Sequence, residues 1–154
     1  FENRSPPTGV VFCPPEYAPQ DGMLIAWEGY TSVLQEMAVG VTTLDPEAIV
    51  YVVVDNASEQ TSAYNSLNGA GADMTQVDFV VRGTDSVWIR DYGPRMIYED
   101  GIRSIVDHYY NRPARPNDNL LSDYLSTLWG DPHYDIPLTH GGGIFTFSPT
   151  ATAS

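Results

Sequence analysis

Strand-like and helix-like segments alternate along the chain, and that alternation predicts an α/β fold. Three observations carry the prediction. Ile49-Val50-Tyr51-Val52-Val53-Val54 is an unbroken, mostly β-branched run, the pattern of a central strand with both faces covered. Val33, Leu34, Met37, Ala38 and Val41 recur at helical spacing, as do Leu120, Leu121, Tyr124, Leu125 and Leu128. Glu99-Asp100-Gly101 separates two apolar runs, a hairpin signal that makes the sheets mixed rather than purely parallel.

The elements follow in order. Residues 1–21 hold five of the twelve prolines and read as an extended or irregular N-terminal arm, leaving 22–154 as the folded domain. Gly22–Trp27, an apolar run behind a turn signal, predicts a buried strand. Thr31–Val41 predicts a helix that Thr31 or Ser32 can cap and that Asp45-Pro46 ends. Beyond the Ile49–Val54 strand, Ser58–Leu67 predicts a polar helix closing near Asn68-Gly69. Gln76–Val81 is a strand and Gly83-Thr84-Asp85 a loop. Trp88-Ile89-Arg90-Asp91-Tyr92-Gly93 reads as a strand end terminated by Pro94, which lacks a ladder donor. Arg95–Tyr98 and Ile102–Asp107 make the hairpin, Asn111–Asn119 a Pro- and Arg-rich loop, and Leu120–Trp129 a helix. Ile136–Leu138 begins a last strand, and Gly141-Gly142-Gly143 opens a small-residue tail.

Composition narrows the function. At 154 residues and 42% hydrophobic, the chain can build one modest core and is too apolar for wholesale disorder. Acidic residues outnumber basic ones 20 to 7, and the net charge of -13 disfavours nucleic acid and anionic membranes as partners. No apolar run approaches the ~18 residues of a helical membrane span. The single cysteine excludes an internal disulfide and a Cys-only metal site. A start at Phe1 together with the acidic balance points to a processed chain, secreted or periplasmic.

Two stretches could carry chemistry. Asp91, framed by Trp88 and Tyr92, suits a planar cation: the carboxylate pairs with a guanidinium in bidentate fashion and the rings add cation–π attraction. A structural Arg90–Asp91 brace beneath the rings is the competing reading. Arg112 and Arg115, held apart by prolines on a stiff loop, could clamp a carboxylate, or could be solvated arginines offsetting nearby acids. His108, His133 and His140 show no metal-ligand spacing, so each is expected in a surface or core role, with no metal and no cofactor. Cys13 has no cationic neighbour in sequence to activate its thiol.

These residues resemble a family, the bacterial-type peptidyl-arginine deiminases, relatives of agmatine deiminases. Pro15-Glu16-Tyr17-Ala18-Pro19-Gln20 with Trp27 is similar to the family's N-terminal signature. Thr84-Asp85-Ser86-Val87-Trp88-Ile89-Arg90-Asp91-Tyr92-Gly93-Pro94 is similar to its most specific motif. Ile105-Val106-Asp107, Tyr110-Asn111-Arg112-Pro113 and Arg115-Pro116-Asn117-Asp118 resemble the next block, and Pro137-Leu138-Thr139-His140 the approach to a Gly-Gly-Asn segment. The resemblance implies the N-terminal part of a pentein β/α propeller, two to three of five modules, with mixed sheets and flanking helices. It implies hydrolysis of a guanidinium to a ureido group with release of ammonia, through a Cys thiolate, a His and two acids. In that scheme Asp91 is the first acid, Trp88 packs on the substrate, and Arg112, with Arg115 or the position of Ala114, binds a substrate carboxylate.

The departures are as specific as the matches. The family's nucleophile, His and second acid lie in its C-terminal half, beyond Ser154; Cys13 and His140 do not match them. Gly143 or Ile144 stands where Asn is expected, and Phe147-Ser148-Pro149 where Asp-Gly is. The expectation is therefore one half of a deiminase, inactive alone, completed by a C-terminal half chain of the same precursor and acting on an arginine-containing peptide or another guanidino compound. A non-catalytic binding, toxin-like or self-assembling oligomeric protein is the alternative.

Overall fold

The computed structural model describes residues 6–15 and 17–142. In chain order its elements are β1 (Val11–Phe12), β2 (Gly22–Ala26), α1 (Thr31–Leu44), β3 (Ile49–Val54), α2 (Ala57–Ala70), β4 (Val77–Val81), α3 (Ile89–Tyr92), β5 (Arg95–Glu99), β6 (Ile102–Tyr110), α4 (Leu121–Trp129) and β7 (His133–His140). The chain divides into two compact units, Pro19–Ile89 and a second built from Phe1–Ala18 with Arg90–Ser154. Among the described residues no helix is long and apolar enough to cross a membrane.

In the Pro19–Ile89 unit, β2, β3 and β4 form a parallel sheet in that order, with β3 central. Each strand steps the same way along the sheet, so right-handed crossovers put both connecting helices on one face. Val50, Val52 and Val54 point to that face and meet Leu34 and Ala38 of α1 and Ala63 and Leu67 of α2. Burying each Val or Leu side chain contributes roughly 1.5–3 kcal/mol, which makes this stripe the main stabilising term of the unit. The other face grades from half-buried Ile49 and Tyr51 to fully buried Val53. Gln76 ties the connections below the sheet: its side-chain amide donates to the carbonyls of Asp45 and Ala48, each at 2.7 Å.

Several boundaries differ from the sequence expectation, each for a local reason. Neither Thr31 nor Ser32 caps α1. The N-cap is Tyr30, in the left-handed region with no side-chain cap, so packing rather than capping holds this end. α2 starts behind Asn56, whose side chain accepts from the Ser58 and Glu59 amides, and runs past Asn68-Gly69 to Gly71 at φ 95°. The expected strand end at Trp88–Gly93 is instead the single helical turn α3.

The second unit carries a mixed sheet in the order β1-β5-β6-β7. β5 and β6 form the expected antiparallel hairpin, turning at Asp100 (φ 50°) and Gly101 (φ 84°), the positive-φ pair of a tight hairpin turn. β7 pairs parallel to β6 after the α4 crossover and begins at His133, earlier than the expected Ile136. The proline-rich arm docks as β1 beside β5. One Glu99 carboxylate oxygen accepts the Thr8 and Gly9 amides at 2.7 and 2.6 Å, and the Tyr134 hydroxyl donates to the other.

At the carboxyl ends of β2, β3 and β4 lie Glu28, Asp55 and Thr84. The Thr84 hydroxyl donates to Glu28 at 3.2 Å, its amide donates to Asp55 at 3.1 Å, and Glu59 accepts the Asp55 amide at 2.6 Å. Burial, then the charge of Asp55, raises the Glu28 pKa to about 7. The folded state thus holds this proton more tightly than the unfolded chain does. The associated stability is complete below about pH 4.5 and is lost as pH rises through about 7. Glu28→Gln, which mimics the protonated carboxyl, should raise the urea midpoint at pH 8 and leave it near wild type at pH 5. An equal offset at both pH values would contradict the raised Glu28 pKa.

Candidate active site

The site of the second unit is built on α3, one turn too short to be stable by itself. Its carbonyl groups have no helical partners and take tertiary ones. His108 Nε2 lies 3.0 Å from the Asp91 carbonyl oxygen, and Ser122 Oγ donates to the Tyr92 carbonyl at 3.4 Å. A carbonyl only accepts, so His108 carries its proton on Nε2. Gly142 packs against the same turn: a Cβ there would strike the Arg95 guanidinium and come within 2.5 Å of the Arg90 and Asp91 carbonyl oxygens.

The Asp91 carboxylate meets Tyr110, whose hydroxyl donates to Oδ2 at 3.5 Å and accepts from Arg115 Nη1 at 3.1 Å. Tyr110 is buried, and its ring lies 5.7 Å from that of Tyr92. Arg95 is in electrostatic contact with Asp91. Burial and neighbouring Arg90 disfavour its charge, while Asp91 and Asp107 support it. His108 stacks on His140 at 3.9 Å and 11°. Burial, then His140 and Arg95, lowers the His108 pKa to about 4, so the ring is neutral near pH 7. The arrangement is a carboxylate whose backbone is clamped by a neutral imidazole and whose side chain is oriented by a buried phenol.

The structure brings Asp91 and Arg115 together through Tyr110. Arg112 is exposed and folds back on Asn111, donating to its side-chain and backbone oxygens at 2.8 and 3.2 Å. Trp88 belongs to the other unit, where it is 52% exposed and its ring lies 6.4 Å from that of Tyr30. Burial raises the Cys13 thiol pKa, which opposes a thiolate there. Sequence reading missed Tyr110, Arg95 and the clamp role of His108. The period-2 register of β6, which puts His108 and Tyr110 on one face, was the available signal. Two further groupings emerge. Asp107, His133 and Asp135 converge in the second unit, and Glu28, Asp55 and Glu59 in the first. Gly143, Ile144 and Phe147-Ser148-Pro149 lie outside the described residues.

Residues 12–150 match the family described as Porphyromonas-type peptidyl-arginine deiminase. Among solved structures, Campylobacter jejuni agmatine deiminase is similar with a TM-score of 0.71 and 20% identity, over 96% of this chain and 46% of that one. A serine-for-cysteine variant of that enzyme with substrate bound gives a TM-score of 0.72 and 19% identity, over the same shares. A Porphyromonas gingivalis protein assigned as an arginine deiminase gives 0.66 and 18%, over 82% of this chain and 40% of that one. The mixed sheets with flanking helices thus have the pentein deiminase fold, and the chain spans about half the length of these structures. The sequence match over residues 12–150 places the chain in the Porphyromonas-type peptidyl-arginine deiminase family.

Proposed function

We propose that this chain contributes the guanidinium-binding carboxylate, Asp91, to a hydrolase that converts arginine or other guanidino groups to ureido groups with release of ammonia. The observation that carries the reading is the oriented carboxylate: the His108 clamp on the Asp91 backbone and the Tyr110–Arg115 pair on its side chain. A carboxylate held this way before substrate arrives loses little entropy when it takes up a planar cation. Arg115 links the carboxylate-binding loop to Asp91, so a substrate bearing both a carboxylate and a guanidinium would engage one connected network. Exposed Arg112 is the second carboxylate contact.

In this reading the thiolate, the catalytic histidine and the second acid come from a further half, carried by a partner chain of the same precursor and assembled outside the cytoplasm. Among the described residues Cys13 is held as a thiol and His108 is committed to the Asp91 backbone. Native mass spectrometry followed by denaturation should then release a second chain of comparable mass that contains Cys and His. A lone 17.0 kDa species or its multiples would leave the binding or self-assembly reading in its place.

In the assembled enzyme, Asp91→Asn should cut ureido formation, read as citrulline from arginine peptides, by at least ~10²-fold. That corresponds to losing a charge-assisted contact of about 3 kcal/mol. Circular dichroism should stay native. Retained activity would remove Asp91 from the site, and unfolding would support its role as a structural brace to neighbouring arginines. Arg112→Ala should raise KM for substrates with a free carboxylate and leave kcat near wild type. Arg115→Ala should also lower kcat, because it disturbs Tyr110. Equal effects of the two substitutions would argue against the relay.

A further inference from the structure

We infer that Asp107, His133 and Asp135 form a binding site for one divalent transition-metal ion of the zinc type, with Asp123 orienting the imidazole. The strand register assembles it. His133 and Asp135 are two apart on β7 and share a face, and Asp107 of β6 pairs with Asp135. The ladder shifts register between Asp107 and Tyr109, an irregularity of the kind that re-aims side chains. The ligand atoms of the three residues lie within 4.8 Å of one another.

The geometry favours a metal ion over a simple ion pair. His133 Nε2 faces Asp107 Oδ2 at 3.7 Å and Asp135 Oδ1 at 3.8 Å, both longer than a hydrogen bond. Two ligand atoms each ~2.0–2.2 Å from one ion stand about this far apart. On the other side of the ring, Nδ1 faces Asp123 Oδ1 at 3.3 Å. A carboxylate on Nδ1 keeps the proton there and leaves the Nε2 lone pair for a metal. The imidazole is 4% exposed, and the Asp107 and Asp135 side chains are 14% and 17% exposed, so the three are shielded yet reachable. Two carboxylates paired across adjacent strands repel, and a cation between them removes that cost. One imidazole nitrogen with carboxylate oxygens suits Zn²⁺ better than Mg²⁺ or Ca²⁺, which take all-oxygen sets. The site shares no ligand with the guanidinium site, although Asp107 Oδ1 accepts the His108 amide at 2.8 Å and its charge supports Arg95.

The test uses the full chain, stripped with a chelator and dialysed against Zn²⁺, with bound metal counted by elemental mass spectrometry and unfolding followed with and without Zn²⁺. One Zn²⁺ per chain should be retained and should raise Tm. Asp135→Asn, which preserves size, and His133→Gln should each weaken retention at least 10-fold and abolish the shift in Tm. Asp123→Asn should weaken affinity ~10–100-fold while keeping the stoichiometry. Glu28→Gln, in the other acidic group, should bind as wild type. No retained zinc, or equal retention and Tm shift in folded Asp135→Asn, would overturn the site and leave His133 in a structural role among carboxylates. Retention of Mg²⁺ or Ca²⁺ in preference to Zn²⁺ would overturn the metal class.

Discussion

The second unit turns on one constraint: a four-residue helical turn that cannot hold itself. α3 presents Asp91, yet a single turn fixes several dihedrals for almost no internal hydrogen bonding. Its Asp91 and Tyr92 carbonyls are therefore satisfied by side chains from β6 and α4, His108 and Ser122. Gly142, just after β7, lets the chain approach the same turn closely enough that no side chain fits. Strand pairing and the α4 crossover thus serve to hold a short, otherwise unstable segment in place. Buried Tyr110, next along the same face of β6, brings its hydroxyl to 3.5 Å from the carboxylate.

A strongly acidic chain must also place its carboxylates where repulsion is tolerable. Glu99 spends its charge on two arm amides and a tyrosine hydroxyl. Burial and the charge of Asp55 raise the Glu28 pKa to about 7, which eases the repulsion at a crowded edge. Asp131 takes Arg103 in a close ion pair at 2.9 Å, with the guanidinium 5.4 Å from the centre of the Trp129 ring. At Asp107 and Asp135 the His133 ring nitrogen lies 3.7 and 3.8 Å from the carboxylates, and the proposed ion is the cation that this geometry accommodates.

Much of the fold was legible because it rests on local pattern. The β-branched run of β3, the stripes of α1 and α4 and the Asp-Gly turn each state their conformation within a few residues. Boundaries were less legible. Asn56 and Gly71, which cap α2, look like ordinary loop residues until the helix is seen to reach them. The strand reading of Trp88–Gly93 failed because its evident signal, Pro94, ends a helix as readily as a strand. Of the candidate site, Asp91, Arg112, Arg115 and Trp88 stood out by residue type and motif. Tyr110, Arg95, His108 and the Asp107–His133–Asp135 group did not, because their meaning lies in cross-strand neighbours.

The sequence by itself determined the α/β class, the order of most elements, the family and the carboxylate at its most specific motif. Each follows from periodicity, turn chemistry or motif, which act over a few consecutive residues. Tertiary structure alone decided that Asp91 sits on a helical turn, that a neutral His108 clamps it, that Tyr110 links it to Arg115, and that His133 gathers three carboxylates. The physical reason is that strand register and the α4 crossover set these distances. Tertiary contact joins residues from 17 positions apart, as between Asp91 and His108, to 28, as between Asp107 and Asp135. No local pattern reaches that far.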